Sequence, residues 1–343
     1  MEGIEKTTLG SSSLRLTRLG FGGAPIGNTR NEVSDADARS ALEAAWDAGI
    51  RYFDTSPWYG LGLSEHRVGA FLRGKPREDY IISTKVGRLL KPWPKRYGAR
   101  RHRGAWLSPP DFEVRFDYSY DGIIRAYEDS LQRLGLPEVD ALFVHDLDRS
   151  YHVSRFEYEA RMSQLVNGGI DALRDLRAEA KVQAIGVGVN RAGVITDMLE
   201  IFQPDMFLVA GPYTLLNQEI LQTELERCRE ANIGVIIGAA FGYGLLATSV
   251  RNLEPTWKAR VDPATLERAA RIEEICERHQ VDLPAAAIQF PGAHRAVAST
   301  LFGAIDADQV REAISWAKRR IPPALWHELI EEGLVSPHAP LPG

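Results

Sequence analysis

Short apolar runs rich in β-branched residues alternate with longer stretches of helical periodicity from residue 18 onward. This alternation of strand and helix is typical of α/β proteins with a parallel sheet. Eight of the apolar runs are strand candidates, and each precedes a stretch that can form a helix. Eight such units in about 300 residues predict a closed (β/α)8 TIM barrel. The predicted strands are Leu19–Gly23, Tyr52–Asp54, Tyr80–Lys85, Ala141–His145, Ala184–Val187, Met206–Ala210, Gly234–Ile237 and Val297–Phe302.

Residues that begin and end helices frame the stretches between these strands. Ser34 can accept hydrogen bonds from the free N–H groups of a helix over Ala38–Ala48, and Gly49 can end that helix. Pro263 suits the first turn of a later helix, because a backbone N–H has no partner there. The further predicted helices are Asp121–Leu134, Gly169–Glu179, Gln218–Ala231 and Pro263–His279.

Both ends of the chain lie outside the repeat. Thr7–Gly10 and Leu14–Leu16 flank a Ser/Gly turn, which predicts a small hairpin that closes the floor of the barrel. Residues 1–335 are therefore expected to form one barrel domain with an N-terminal hairpin. The final stretch, Ser336–Gly343, has three prolines and no apolar periodicity, and we expect it to be a loose tail.

The connection after the third predicted strand is long for a barrel loop. Arg88–Ser108 is rich in lysine and arginine, and it contains Trp93 and Trp106. Loops that follow barrel strands build active sites, so this segment is a candidate lid or substrate-facing flap. The alternative is a solvated basic loop.

Charge and hydropathy exclude several classes of function. The chain has 41 Lys and Arg against 46 Asp and Glu, a net charge of −5, so nothing favours nucleic acid or an anionic membrane as a partner. No apolar run approaches the ~18 residues that span a bilayer, and the polar first ten residues do not resemble an export signal. We therefore expect a cytoplasmic location.

The two cysteines offer neither a disulfide framework nor a metal site. Cys228 and Cys276 lie in helical patterns without CxxC or Cys/His spacing, so no metal is expected. Barrel helices are amphipathic with or without a neighbouring subunit, so the sequence predicts no particular oligomeric state.

Three successive predicted strands end in residues of complementary chemistry. The second ends in Asp54, the third in Lys85 and the fourth in His145, and Tyr59 follows Asp54 in the next loop. Because the carboxyl ends of barrel strands meet at one rim, we expect these four side chains to lie together. Each residue alone also has a structural interpretation, such as a helix cap, a solvated lysine or a packing aromatic. Their joint placement favours a catalytic role for the four residues.

This set suits chemistry at a carbonyl or alcohol carbon. A phenol has a pKa near ~10, and the ammonium of Lys85 beside Tyr59 would lower it. Asp54 would orient and balance the lysine. A histidine can donate a hydrogen bond to substrate oxygen or carry the proton. No side chain carries hydride, so a nicotinamide cofactor is implied.

The residues around these four positions resemble the aldo-keto reductases. The resemblance is carried by the run Gly49–Gly60, which reads GIRYFDTSPWYG, together with Ser83–Lys85 and Val144-His145, and it extends over residues 19–313. It implies a (β/α)8 barrel that binds NAD(P) at its carboxyl face. It also implies that Tyr59 is the general acid–base and that His145 orients the substrate. Lys85, held by Asp54, would lower the pKa of the phenol.

Departures from the common family pattern narrow the resemblance. Many members have a tyrosine after strand seven that stacks on the nicotinamide, but this chain reads Gly238–Gly242, so the stacking face is missing or comes from Phe241. Ala210–Gln218 replaces the usual amide-containing run after strand six. With Leu61–Glu65 and Asp117–Asp121, these variants look like the branch that contains L-fucose (D-threo-aldose) 1-dehydrogenases and pyridoxal 4-dehydrogenase.

That branch implies the oxidation of a cyclic hemiacetal to a lactone, with Tyr59 as the base. The small-molecule substrate would be an aldose, such as L-fucose, D-arabinose or L-galactose, or pyridoxal. Trp58 and Tyr243 are candidate substrate residues. The alternatives are an NADPH-dependent aldehyde or ketone reductase and a non-catalytic, cofactor-binding regulatory subunit.

The cofactor residues follow from the same resemblance. Asn190 would bond the nicotinamide carboxamide, and the helix after the eighth strand would hold a phosphate at its N-terminus. Relatives that prefer NADPH carry basic residues there, whereas acidic residues repel a 2′-phosphate, so the sequence favours NAD over NADP. Besides Asn190, the candidate cofactor residues are Gly238, Phe241, Gly303, Ala304, Asp308 and Gln309.

Overall fold

The computed structural model describes residues 4–94, 96, 98, 104, 106–152 and 154–343. Two short strands, β1 (Lys6–Thr8) and β2 (Arg15–Thr17), pair antiparallel where the sequence predicts a hairpin. The remaining strands are β3 (Leu19–Gly22), β4 (Tyr52–Asp54), β5 (Ile81–Val86), β6 (Arg88–Pro92), β7 (Phe112–Phe116), β8 (Ala141–His145), β9 (Ala184–Val189), β10 (Met206–Ala210), β11 (Gly234–Gly238) and β12 (Val297–Phe302).

A closed barrel of eight parallel strands forms the centre of the described chain. Its strands follow one another around the barrel in chain order, from β3, β4 and β5 to β8–β12, and β12 closes the barrel by pairing with β3. All eight are the predicted strands, so the (β/α)8 fold is confirmed. The remaining pair, β6 and β7, forms an antiparallel hairpin beside the barrel.

The helices surround the barrel, and several begin at side-chain caps. Ser34 Oγ accepts from the backbone N–H of Asp37 at 3.0 Å, as the sequence predicts. The helices are α1 (Asp35–Asp47), α2 (Leu63–Leu72), α3 (Tyr120–Leu134), α4 (Arg155–Gln164), α5 (Ile170–Ala178), α6 (Val194–Leu199), α7 (Glu226–Glu230), α8 (Pro255–Lys258), α9 (Pro263–Arg278), α10 (Leu283–Gln289), α11 (Ala307–Lys318) and α12 (Pro323–Glu331).

One predicted helix is wrong at its start. The sequence predicts Gln218–Ala231, but the chain turns through a wide π-type helix at Leu221–Leu225 and becomes α-helical only at Glu226. Gln218 does not belong to the helix, because its side-chain amide donates to the carbonyl oxygens of Thr214 and Leu215. Helical periodicity marks the buried face but does not detect this turn.

Apolar side chains fill the interior of the barrel at its amino end. Leu9, Leu14 and Leu16 of the N-terminal hairpin are buried there, in one cluster with Tyr52 of β4 and Phe143 of β8. Gly10 at the hairpin tip has φ +53, and a Cβ on it would lie 2.4 Å from the backbone nitrogen of Gly234. The hairpin thus closes the floor of the barrel.

The segment after β5 forms the β6–β7 hairpin and turns back over the carboxyl end of the barrel. Trp106 is buried and lies 5.8 Å from the Trp58 ring and 6.0 Å from the Tyr59 ring, measured between centroids. These contacts favour a substrate-facing segment over a solvated loop. Part of the predicted flap, residues 95, 97, 99–103 and 105, lies outside the described residues.

The C-terminal stretch 336–343 has no helix or strand, but it is docked rather than loose. Ala339 is 7% exposed and belongs to the main apolar cluster, and the backbone N–H of Ser336 donates to Gln218. Cys228 and Cys276 are both free and buried. Across the part of the chain that the structure describes, no helix is long and apolar enough to cross a membrane.

Candidate active site

A buried ion pair lies where β4 and β5 meet at the carboxyl end of the barrel. Lys85 Nζ donates to Asp54 Oδ1 at 2.6 Å and to the carbonyl oxygen of Thr55 at 3.0 Å. The second oxygen of Asp54 accepts from Ser83 Oγ at 2.8 Å. Both ionic side chains are 2% exposed. The strand ends thus bring Asp54 and Lys85 together, as the sequence predicts.

Each partner favours the ionised form of the other, although burial leaves the pKa of Asp54 above its ordinary value. Burial lowers the pKa of the Lys85 ammonium, but the negative charge of Asp54 outweighs it, so the pKa of Lys85 is raised. Burial raises the pKa of Asp54, and the positive charge of Lys85 opposes that shift. The lysine is therefore a fixed positive charge at the base of the site.

Tyr59 lies in the turn after β4, close to both the ion pair and His145. Lys85 Nζ is 4.5 Å from the centroid of its ring, and the His145 ring stands edge-on to it, with 6.0 Å between centroids and 88° between planes. Removal from water raises the pKa of the phenol to about 12, and the positive charge of Lys85 offsets only part of this shift. The expected direction of the lysine's effect is therefore correct, but a net lowering of the phenol pKa is wrong.

His145 has protein partners at both ring nitrogens. Nδ1 lies 3.0 Å from Ser56 Oγ, and Nε2 lies 3.1 Å from Asp146 Oδ2. An ionised carboxylate can only accept, so Nε2 carries the proton and Nδ1 accepts from the serine hydroxyl. Burial lowers the pKa of His145 to about 3, so the ring is neutral at ordinary pH. The ring therefore carries no charge, and its one N–H is engaged by Asp146.

Asp146 joins several polar groups at the mouth of the barrel, and the sequence reasoning did not select it. Its Oδ2 accepts from Arg88 at 2.8 Å as well as from His145, and its Oδ1 accepts from Asn190 Nδ2 at 2.7 Å. Burial raises the pKa of Asp146, but His145, Arg88 and Asn190 together lower it below its ordinary value. Asp146 lies one residue beyond the end of β8, so the strand-end rule that identified His145 does not select it.

Arg88 is the second functional residue that sequence reasoning missed. Its side chain is 1% exposed, and its guanidinium lies 4.7 Å from the Trp58 ring centroid and 4.4 Å from that of Tyr151. Among the described residues, its Nε and one terminal nitrogen have no hydrogen-bond partner. Trp58, predicted to contact substrate, thus packs on the arginine that holds Asp146.

A cavity of about 730 Å³ opens beside this network, between the loops after β9, β10 and β11. Asn190 lines one side of it, and Tyr243 lines another. Tyr243 is 55% exposed and donates from its hydroxyl to the carbonyl oxygen of Ala210 at 3.1 Å. Phe241 instead packs edge-on against Trp316, with 6.0 Å between ring centroids. The aromatic face beside Asn190 therefore comes from Tyr243, not from Phe241.

The whole chain has known relatives. The model of the aldo/keto reductase family matches residues 18–331. The chain belongs to the aldo/keto reductase family. It is 40% identical to a pyridoxal 4-dehydrogenase of Microbacterium luteolum, over 98% of this chain and 99% of the relative. It is 38% identical to a D-threo-aldose 1-dehydrogenase of Pseudomonas sp, over 95% and 96% of the two chains.

A solved structure supports the fold of this aldo/keto reductase. An aldo-keto reductase from Bacillus halodurans in its holo form superposes with a TM-score of 0.73 at 23% identity, over 98% of this chain and 99% of that one. Membership of the family makes the protein an NAD(P)-dependent oxidoreductase. Among the described residues, no group of three His, Cys, Asp or Glu side chains could hold a metal ion.

The residues at the mouth of the barrel fit a nicotinamide group. Asn190 uses its amide NH2 on Asp146 and keeps its Oδ1 as an acceptor for a carboxamide N–H. Tyr243 presents an exposed ring at the same cavity. Gly238, at the end of β11, is buried, and a Cβ there would lie 3.2 Å from a methyl of Leu208.

Fewer groups at the start of α11 are free to bind a phosphate than the sequence predicts. Gln309 donates its backbone N–H to Asp306 Oδ1 at 2.9 Å, and its side-chain oxygen accepts from the backbone N–H of Ile305 at 3.1 Å. Its side chain is thus committed to the helix cap. Ala304 is buried, whereas Gly303 is exposed and packs closely on Pro25.

Proposed function

We propose that this aldo/keto reductase oxidises the hemiacetal carbon of a small cyclic substrate to a lactone, with Tyr59 as the base. The observation that carries the proposal is the position of the phenol, close to both the Lys85 ammonium and the neutral His145. A bound nicotinamide dinucleotide supplies the hydride acceptor for this reaction.

Each protein group then has one task. The phenol oxygen of Tyr59 takes the proton of the hemiacetal hydroxyl while hydride leaves the same carbon. Lys85 stabilises the negative charge on the phenol oxygen, and Asp54 fixes the lysine in place. His145 stays neutral, because a pKa of about 3 prevents it from carrying the proton near neutral pH, and it would orient the substrate by sharing with the substrate oxygen the N–H that Asp146 accepts.

The relatives support a hemiacetal substrate. Their names refer to pyridoxal and to D-threo-aldoses, which are chemically unlike except in one respect. Both exist largely as cyclic hemiacetals, and removal of hydride from the hemiacetal carbon gives a lactone. The substrate class of this chain is therefore proposed to be the cyclic hemiacetal form of an aldose or of pyridoxal.

The surface of α11 supports NAD as the preferred coenzyme. Arg311, the nearest cation along the sequence to the start of this helix, is engaged by Asp308 in an exposed ion pair. A 2′-phosphate would have to compete with that carboxylate for the arginine, whereas a 2′-hydroxyl would not. We expect kcat/KM for NAD to exceed that for NADP.

A steady-state assay tests the function and the coenzyme together. Purified protein is mixed with NAD or NADP and with L-fucose, D-arabinose, L-galactose or pyridoxal, and the appearance of reduced nicotinamide is followed by absorbance. Oxidation of at least one substrate, with NAD preferred, is expected. If every compound on the panel is inert, the oxidative function is overturned and a regulatory subunit is favoured. A tenfold or larger preference for NADP overturns the coenzyme assignment.

A further inference from the structure

We propose that Asp146 is a binding subsite for a substrate hydroxyl, and that it selects substrates with a hydroxyl on the carbon next to the reacting one. This inference rests on the proposed function and adds the substrate feature that the enzyme recognises. Three properties of Asp146 support it: its hydrogen-bonding capacity, the space beside it, and its distance from the reacting groups.

The carboxylate has one acceptor position left over among the described residues. A carboxylate offers about four lone-pair positions, two on each oxygen. Oδ2 uses both, on His145 Nε2 and Arg88, whereas Oδ1 uses one, on Asn190. A buried ionised oxygen with spare capacity favours a donor, and an incoming hydroxyl is such a donor.

The space beside the free position is open. Gly188, at the carboxyl end of β9, pairs with His145 across the sheet. A Cβ added to Gly188 would lie 3.9 Å from Asp146 Oδ1 and 3.6 Å from the carbonyl oxygen of Val144, which is ordinary contact. Any larger side chain there would cover Oδ1. The glycine thus keeps the space next to Oδ1 free of a side chain, and 10% of the Asp146 side chain remains exposed.

The backbone conformation that holds the carboxylate in this position is an unfavourable one. Asp146 has φ 45°, in the left-handed region that non-glycine residues rarely adopt. Such a conformation persists where surrounding contacts enforce it, and here three side chains do so. The strain and the contacts together fix the direction of the two oxygens.

The closeness of Asp146 to the reacting groups indicates which hydroxyl is recognised. Oδ2 of Asp146 is 3.1 Å from Nε2 of His145, the ring that faces Tyr59 edge-on. Oxygens on neighbouring carbons are separated by roughly the length of one hydrogen bond, about 2.8 Å. A substrate whose reacting oxygen lies at Tyr59 would therefore bring the hydroxyl of its neighbouring carbon toward this carboxylate, whose Oδ1 has the free acceptor position.

The chemistry of the subsite defines the ligand class. An ionised carboxylate accepts from neutral hydroxyl groups and repels carboxylate or phosphate groups. The positive charge of Arg88 beside Oδ2 balances the carboxylate. The subsite therefore takes an uncharged polyhydroxy hemiacetal. It favours an aldose over pyridoxal, whose ring hydroxyl lies one carbon further from the reacting carbon.

Matched substrates provide the test. D-arabinose is compared with 2-deoxy-D-ribose, which is the same sugar without the hydroxyl at carbon 2, and L-galactose is compared with 2-deoxy-L-galactose. In the unaltered enzyme, kcat/KM for the hydroxylated sugar should exceed that for its deoxy analogue by about 10² or more, because the analogue leaves the remaining buried acceptor position of the carboxylate unfilled. Equal values overturn the inference and leave the proposed function intact, as does activity with pyridoxal alone. No activity with any compound overturns the proposed function itself.

Two variants locate the selection at Asp146. Asp146→Asn should lower kcat/KM for the hydroxylated substrate by about tenfold more than for the deoxy analogue. Gly188→Ala leaves every hydrogen bond of the carboxylate in place but narrows access to Oδ1, so it should reduce the same preference. Melting temperatures establish that both variants are folded.

The control is Asp148→Asn, the same substitution two residues further along the loop, where the carboxylate accepts from the backbone N–H of Ser150. It should leave the ratio between the two substrates unchanged. If Asp146→Asn lowers both substrates equally, Asp146 acts only by positioning His145, and the hydroxyl subsite is overturned. The subsite is likewise overturned if Gly188→Ala leaves the preference at its original value.

Discussion

The two ends of the barrel interior are filled in opposite ways, although the same strands supply both. At the amino end, Tyr52 of β4 and Phe143 of β8 are buried in an apolar cluster with leucines of the N-terminal hairpin. Two residues further along the same strands, Asp54 and His145 belong to a buried polar network. Side chains two residues apart on a strand point to the same face, so one interior position of each strand packs in the apolar cluster and the next belongs to the polar network.

This difference indicates what each end contributes to the protein. Burial of apolar surface stabilises the fold by about 25 cal/mol per Å². Burial of ions gains little, because desolvation cancels most of the attraction within a pair. The charges at the carboxyl end are therefore expected to matter for turnover, and the leucines at the amino end for stability. Substitutions at each end can break this division of roles.

The largest effect on turnover is expected for Tyr59→Phe. The change removes the proton-accepting oxygen and keeps the ring that contacts Trp106 and His145. Turnover should fall by about 10² or more, while the melting temperature and the affinity for coenzyme stay close to their original values. Steady-state assays, coenzyme titration and thermal melts measure the three quantities. Retained turnover would remove Tyr59 from the mechanism.

Substitution of the buried ion pair separates turnover from stability. Lys85→Met leaves Asp54 buried without its cation, which should cost about 3–5 kcal/mol in the free energy of unfolding. Turnover should fall at least about tenfold, and the pH profile should shift to alkaline values, because the lysine no longer lowers the phenol pKa. Denaturant unfolding and pH–rate profiles provide the measurements.

The double variant Asp54→Asn with Lys85→Met is the matched control. It removes both charges, so most of the lost stability should return while turnover stays low. A double variant that does not recover the lost stability would show that the pair serves the fold as well as the reaction. That result would contradict the division between the two ends.

The pH dependence should differ between the two directions of the reaction. Reduction needs Tyr59 protonated, and with a pKa of about 12 the phenol is protonated throughout pH 6–10. His145, with a pKa of about 3, is neutral across the same range, so the reductive kcat/KM should be flat. Oxidation needs the deprotonated phenol, whose fraction rises about tenfold per pH unit below the pKa. A bell-shaped reductive profile centred near neutrality would contradict both pKa directions.

The residues found from sequence are those whose position depends only on topology. Asp54, Lys85 and His145 end adjacent parallel strands, and the carboxyl ends of such strands share one rim. That rule needs only the strand pattern, and all eight barrel strands are predicted. It leaves out Asp146, because its side-chain direction depends on a left-handed backbone conformation that no local pattern indicates.

The remaining features of the site depend on contacts between distant segments. Arg88 belongs to a basic loop in the sequence, yet it is buried among Trp58, Phe116 and Tyr151. The net pKa of Tyr59 depends on how much water the surrounding protein removes, which sequence does not specify. Tyr243, and not Phe241, provides the aromatic face beside Asn190, and this likewise depends on the path of the loop after β11.

The smallest effect on turnover, and a clear effect on stability, is expected for Leu14→Ala at the amino end. Leu14 is 2% exposed in the apolar cluster below the ion pair. Its truncation should cost about 2–5 kcal/mol in the free energy of unfolding, because the cavity at the barrel floor cannot fully collapse. Turnover per folded molecule should change by less than about twofold, because the polar network shares no hydrogen bond with this side chain. Denaturant unfolding beside steady-state assays at a permissive temperature tests both, and a loss of turnover as large as that of Lys85→Met would show that the two ends act as one unit.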